Sequence, residues 1–130
     1  MNTHLHARFI RLACWLCLLL PLGSMAQEVS VSRLTTEHLA NPMGIDTSTP
    51  RLSWQLESGQ KNVRQEAYHI LVASTPELLV QDKGDLWDSG KTASAESQNI
   101  VYAGKALKSD TRCYWKVKSY TSAGETAWSE

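Results

Sequence analysis

The chain is short of cysteine: of three, Cys14 and Cys17 fall in an apolar run near the N-terminus and only Cys113 lies beyond it. A lone thiol forms no internal disulfide, so packing alone must hold the remainder together in any redox compartment. An excess of one charge is lacking too. The whole chain carries 13 basic and 13 acidic residues, and setting aside Arg8 and Arg11 leaves a slight negative balance. That excludes a basic field for nucleic acid and a polybasic patch for a membrane surface. No apolar run reaches the roughly 20 residues that cross a bilayer. There is no repeat of 20 to 50 residues, no low-complexity tract and no Gly-x-Ser-x-Gly elbow.

What the N-terminus does contain is a leader. Arg8 and Arg11 precede the run Leu12 to Leu22, and Ser24-Met25-Ala26 supplies the small residues of a signal-peptidase site. The pattern predicts a signal peptide over 1–26, cleavage before Gln27, and a secreted or periplasmic product with no membrane attachment once it is removed. Cys14 lies inside the apolar run instead of after it, which argues against lipidation.

The remainder, 27–130, reads as short strands at spacings of about ten residues. Val29 and Val31 alternate with serines, and extended-friendly residues continue to Glu37. Asn41 to Pro50 is a turn-rich loop in which Pro42 fixes φ and Gly44 permits positive φ. Leu52, Trp54 and Leu56 alternate with Ser53, Gln55 and Glu57, a half-buried strand anchored by Trp54. Ala67 to Ala73 is apolar on both sides, as a central strand would be. Thr75-Pro76-Glu77 predicts a short helix over 76–81, ended by Asp82-Lys83-Gly84. Leu86 to Gly90 is a short bent strand, Thr92 to Ser97 a loop, and Gln98 to Tyr102 another strand.

Between Arg112 and Thr121, Cys113, Trp115, Val117 and Ser119 form one alternating set, suited to a core. Tyr114, Lys116, Lys118 and Tyr120 form the other, suited to water, so this strand is expected to be covered on one side only. Ser122 to Gly124 turns the chain, and Thr126 to Ser129 begins a last strand carrying Trp128. Six strands and the start of a seventh predict an all-β sandwich of two antiparallel layers closing over Trp54 and Trp115, close to the roughly 100 residues of an immunoglobulin-type domain. An incomplete last strand would leave its neighbour with unpaired N–H and C=O groups.

The chemistry-bearing residues are sparse. Asp82, Asp85 and Asp88 lack the Asp-x-Asp-x-Asp-Gly spacing of a calcium loop and read as solvated loop acids. An inverting glycosidase needs two carboxylates about 6.5 to 9.5 Å apart, one with a raised pKa, which sequence spacing does not establish. His38 and His69 stand 31 positions apart with no cysteine or acid at ligand spacing and read as surface or packing residues. Cys113 has no base beside it and reads as a small buried hydrophobe. No catalytic residue, metal or cofactor is assigned. The remaining candidates are Trp87, Tyr120 and Trp128, as carbohydrate-stacking or interdomain contacts; Trp87 beside Leu86 is expected to cover a sandwich edge, and Trp128 to close the last strand or meet the next domain.

Leu107, Thr111, Val117, Gly124 and Ser129 resemble the recurring residues of a fibronectin type III domain. That resemblance implies a tyrosine at 113, tying a sandwich corner to backbone, where this chain has Cys113. Either Tyr114 would be recruited or the corner would be looser. A narrower resemblance rests on Asn41-Pro-Met-Gly-Ile-Asp46, Thr49-Pro-Arg-Leu-Ser-Trp54, Ala67 to Ser74, Asp85-Leu-Trp-Asp-Ser-Gly90 and Tyr114-Trp-Lys-Val117. Together these look like the N-terminal sandwich module of bacterial α-L-rhamnosidases, glycoside hydrolase family 78. The resemblance implies a parent enzyme that hydrolyses terminal α-L-rhamnose with inversion, by an acidic pair in a later (α/α)6 barrel, none of which this chain carries. It further implies a non-catalytic structural module, cut short near Glu130, whose partners are the downstream domains. A stand-alone carbohydrate-binding or adhesion module is the alternative.

Overall fold

The computed structural model describes residues 28–130, so the expected signal peptide lies outside the described residues. Two antiparallel sheets face each other. One holds β1 (Ser30–Thr36), β2 (Arg51–Glu57) and β6 (Ile100–Val101) in the order β1-β2-β6. The other is built on β3 (Gln65–Ala73), with β4 (Trp87–Asp88) and β5 (Thr92–Ala93) on one edge, and β7 (Tyr114–Thr121) followed by β8 (Gly124–Glu125) on the other. This is the two-layered all-β sandwich that the alternating patterns predict, divided three strands on five, with eight strands where about seven are expected and one short helix, α1 (Pro76–Val80).

The core lies where the alternation puts it. Trp54, Ile70 and Val117 are fully buried, with Leu52, Tyr68, Val72 and Tyr102 around them. Burying each such side chain contributes about 1.5 to 3 kcal/mol of transfer free energy. Trp54 meets Tyr68 and Trp115 edge-on, at centroid distances of 5.4 and 6.5 Å. Trp115 itself is only half-buried. As expected, β3 is central and apolar on both sides, buried at seven of its nine positions.

The helix forms for local reasons. The Thr75 hydroxyl accepts from Leu78 N, Pro76 supplies the first turn, and Asp82 enters positive φ to end it. The loop from β1 to β2 opens with a tight reversal in which Glu37 and His38 both take positive φ while Thr36 and Leu39 exchange two backbone bonds. Glu37 then holds the backbone N–H and guanidinium of Arg51, at 2.6 Å from the amide and 2.8 Å from Nη2.

Four expectations are corrected. Thr92 to Ser97 is not all loop: Thr92 and Ala93 pair with Tyr68 and Ala67, because the chain returns to the same edge of β3 after the bend at Ser89 to Lys91. The tyrosine hydroxyl that ties to backbone is not that of Tyr114. It belongs to Tyr102, whose OH lies 2.6 Å from Lys105 O and 3.2 Å from Leu86 O. Gly104 permits this approach, since a Cβ there would collide with Leu86 O, Trp87 Cβ and the Tyr102 hydroxyl.

The last strand also differs. β8 begins at Gly124, inside the expected turn, and Thr126 to Ser129 runs beside β7 without forming a regular strand. It nevertheless pairs the edge that was expected to be bare at Val117 and Ser119. Thr126 N and Ser129 N donate to Ser119 O and Val117 O, while the Thr126 and Ser129 hydroxyls accept from Ser119 N and Val117 N. Finally, the lysine face of β7 is not open to water, because Trp128 lies across it.

Candidate functional site

The register of β3 on β7 sets His69 opposite Lys118, Leu71 opposite Lys116 and Ala67 opposite Tyr120, so the basic residues and Tyr120 share the outer face of the larger sheet. Asp88 joins them from β4, where it pairs with Leu71. Above this face lies Trp128. Lys116 Nζ and Lys118 Nζ stand 4.8 and 4.9 Å from its ring centroid, and the His69 ring meets it at 5.0 Å and 60°. The lysine side chains keep only 12% and 18% of their exposure. Their alkyl stems are covered and their charges face an indole, an arrangement favourable to both.

Each charge is also matched. Lys116 reaches Asp82 and donates to Leu79 O, and Lys118 lies 3.3 Å from Glu125. His69 Nε2 and Asp88 Oδ1 are 2.6 Å apart. Asp88 also accepts from Gly90 N, and that bond, with the His69 contact behind it, holds its carboxyl below the usual range. Lys91 Nζ caps Tyr120 from 4.3 Å, with Lys118 at 5.6 Å from the same ring. Tyr120 and Trp128 therefore sit on one face, linked through Lys118.

Trp87 does not join them. Its register partner is Val72, which points it inward, and it meets Tyr102 edge-on at 5.4 Å. It packs against the core from the edge strand β4.

The three aspartates serve separate local tasks. Asp85 accepts from the hydroxyl and amide of Ser74, and these bonds lower its pKa. Asp82 pairs with Lys116 and Asp88 with His69. Among the described residues no three His, Cys, Asp or Glu side chains converge as a metal-binding group. His38 is exposed in the β1 turn, far in sequence from His69 and engaged in no shared cluster with it. Cys113 is half-buried, and burial, with the Asp85 charge adding to it, raises its thiol pKa, the reverse of an activated nucleophile.

Two groups of residues were not legible as a site. Gln65 is buried and accepts at Oε1 from Trp54 Nε1 at 3.0 Å and from the Ser119 hydroxyl at 2.8 Å, while its amide donates to Ser94 O and Glu96 O. Lys91 approaches Tyr120 from a bend for which the sequence offers no strand period.

Among the described residues, Trp54 and its neighbours fill the interior, Asp82, Asp85 and Asp88 each serve a separate partner, and Trp128 roofs the outer face. The model of the Rha78A-like, N-terminal immunoglobulin domain matches residues 31–130. The chain belongs to that family. An α-L-rhamnosidase of Formosa agariphila is 41% identical over 92 residues, covering 70% of this chain and 10% of the relative. One of Streptomyces avermitilis is 39% identical over 100 residues, covering 76% and 10%. The crystal structure of the Streptomyces avermitilis enzyme complexed with L-rhamnose superposes with a TM-score of 0.73 at 38% identity over 78% of this chain and 10% of that one. The α-L-rhamnosidase structure from Dictyoglumus thermophilum gives 0.76 at 37% identity over 81% and 12%. The chain thus spans about a tenth of the length of the relatives it matches. This Rha78A-like immunoglobulin domain is the non-catalytic N-terminal sandwich of that architecture, and among its described residues no helix is long and apolar enough to cross a membrane.

Proposed function

We propose that this domain serves as a structural module of an exported α-L-rhamnosidase, a larger protein that removes terminal α-L-rhamnose from glycans or glycosides. The observation that carries the reading is the family match across 31–130, joined to relatives named α-L-rhamnosidase of which the domain is about a tenth. Its work is to pack against later domains and help hold their catalytic unit. The first 26 residues direct export and are cleaved after Ala26, giving a secreted or periplasmic product. Tyr120 and Trp128 are the contact residues of the outer face toward neighbouring domains, or toward carbohydrate where a sugar ring meets the exposed part of either ring.

The test is to isolate the exported product from its native host by antibody to this domain. Expected are an N-terminus at Gln27, a polypeptide several times longer than this chain, and hydrolysis of an aryl α-L-rhamnoside that the 130-residue chain alone does not perform. A product of this chain's own length, or turnover by this chain alone, overturns the reading.

A further inference from the structure

Between β5 and β6 the chain changes sheets. Thr92 and Ala93 pair with β3 in the larger layer, and Ile100 and Val101 pair with β2 in the smaller one, so residues 94–99 cross one shared edge of the sandwich. Ala95, Glu96, Gln98 and Asn99 are exposed, as residues of a connection usually are. The crossing is nevertheless bonded to both layers. Ser94 N donates to Glu66 O at 3.0 Å, Trp54 N donates to Ser97 O at 2.9 Å, and Asn99 N donates to the Ser53 hydroxyl at 2.9 Å. Gln98 Nε2 adds a bond to Trp54 O at 2.8 Å.

Gln65 joins this crossing to the interior. Its buried amide is engaged at both ends: Oε1 accepts from Trp54 Nε1 and from the Ser119 hydroxyl, while Nε2 donates to Ser94 O at 3.2 Å and to Glu96 O at 2.6 Å. Two donors and two lone pairs are all that such an amide has, and each is used. Lifting the crossing leaves the two Nε2 protons stranded in a buried place, whereas turning the amide outward to follow it breaks the bonds to Trp54 and Ser119. Either route is costly.

We infer that residues 94–99 are a clasp across the two layers, and that Gln65 is the positioning residue that locks it, so that this exposed connection opens only when the sandwich itself unfolds. Surface connections ordinarily open by themselves, at free energies well below the global one. This one is denied that freedom by a side chain whose other end lies in the core. The clasp also covers β2, since it occupies both the N–H and the C=O of Trp54 on the outer edge of that strand. Opened, it would leave those groups free to pair with a strand of another molecule. Locking it guards the edge, whatever the parent protein does.

Native-state hydrogen exchange on the full chain tests this. The amides of Trp54, Ser94 and Asn99 should show protection within about threefold of the β3 amides bonded to β7, with the same steep urea dependence, because all wait for global unfolding. Gln65→Glu keeps an oxygen that accepts from Trp54 and Ser119 but sets the second oxygen against Ser94 O and Glu96 O. In that variant the three amides should fall at least roughly tenfold in protection relative to β3, and their urea dependence should flatten. Gln98→Ala removes only an exposed clip on Trp54 O, and should leave the three level with β3; this comparison stands even where Gln65→Glu does not fold. Three results overturn the clasp. One is an unsubstituted chain whose three amides are more than about threefold less protected than β3, with shallow urea dependence. The others are a folded Gln65→Glu variant that keeps them level with β3, and a Gln98→Ala variant that frees them.

Discussion

Trp54 Nε1, on β2, lies 3.0 Å from Gln65 Oε1, on β3, so a side-chain hydrogen bond ties the two layers together at the centre of the sandwich. Ser119 on β7 closes the group, with its hydroxyl 3.2 Å from the indole nitrogen and 2.8 Å from the same amide oxygen. Every polar atom of this buried group is partnered, which makes removal of one member costly.

Gln65→Leu should therefore destabilise by about 1 to 3 kcal/mol, the cost of stranding buried donors and acceptors. The urea midpoint should fall with the slope unchanged. A midpoint equal to that of the parent would show that Ser119 alone satisfies the indole.

The corner hydroxyl gives a paired comparison. Tyr102→Phe should cost on the order of 1 kcal/mol, the net value of its bond to Lys105 O, and Tyr114→Phe much less. Thermal midpoints of the two variants decide it. A larger loss at Tyr114 would give the corner to the neighbour of position 113, where the fibronectin resemblance implies a tyrosine.

Glu37 supplies a pH dependence. Its hydrogen bonds to the Arg51 side chain, then that to the Arg51 amide, hold its pKa at about 2 against an ordinary 4.5. A carboxyl lowered in the folded state contributes stability that is fully present above the ordinary value and lost as pH falls through the folded one. Glu37→Gln should accordingly be less stable than the parent above pH 4.5, with the gap closing toward pH 2. A gap constant across that window would show that the Glu37 charge adds nothing to folding.

Cys113 should be a sluggish thiol. Burial and the Asp85 charge raise its pKa, so its alkylation by iodoacetamide should reach half its limiting rate above the pH at which a model thiol does. A profile lying below the model thiol would indicate an activating environment that the structure lacks.

The period of two in β2, β3 and β7 made most of the core legible, because successive strand side chains take opposite faces and Trp54, Ile70 and Val117 fall on the inner ones. Gln65 escaped for the converse reason. Simple alternation groups it with Ala67 and His69 on the outer face, but an irregularity in pairing between Gln65 and Ala67 turns it inward. The basic face of β7 was placed correctly and its surroundings were not. Nothing local to Lys116 and Lys118 announces that Trp128, ten or more positions on, will lie across them. Tyr102 was assigned to a strand by its pattern, yet its hydroxyl role depends on Gly104 leaving room two residues later.

The edge-on contact of Trp54 with Trp115, at 6.5 Å and 61°, has an optical consequence. Two indoles so close and so inclined form an exciton pair, whose split far-ultraviolet dichroism depends on both layers staying in place. Trp128, on the outer surface, contributes to emission without taking part in that couplet. Following the two signals together during denaturation separates loss of the interior from movement at the periphery, in one cuvette and with no label.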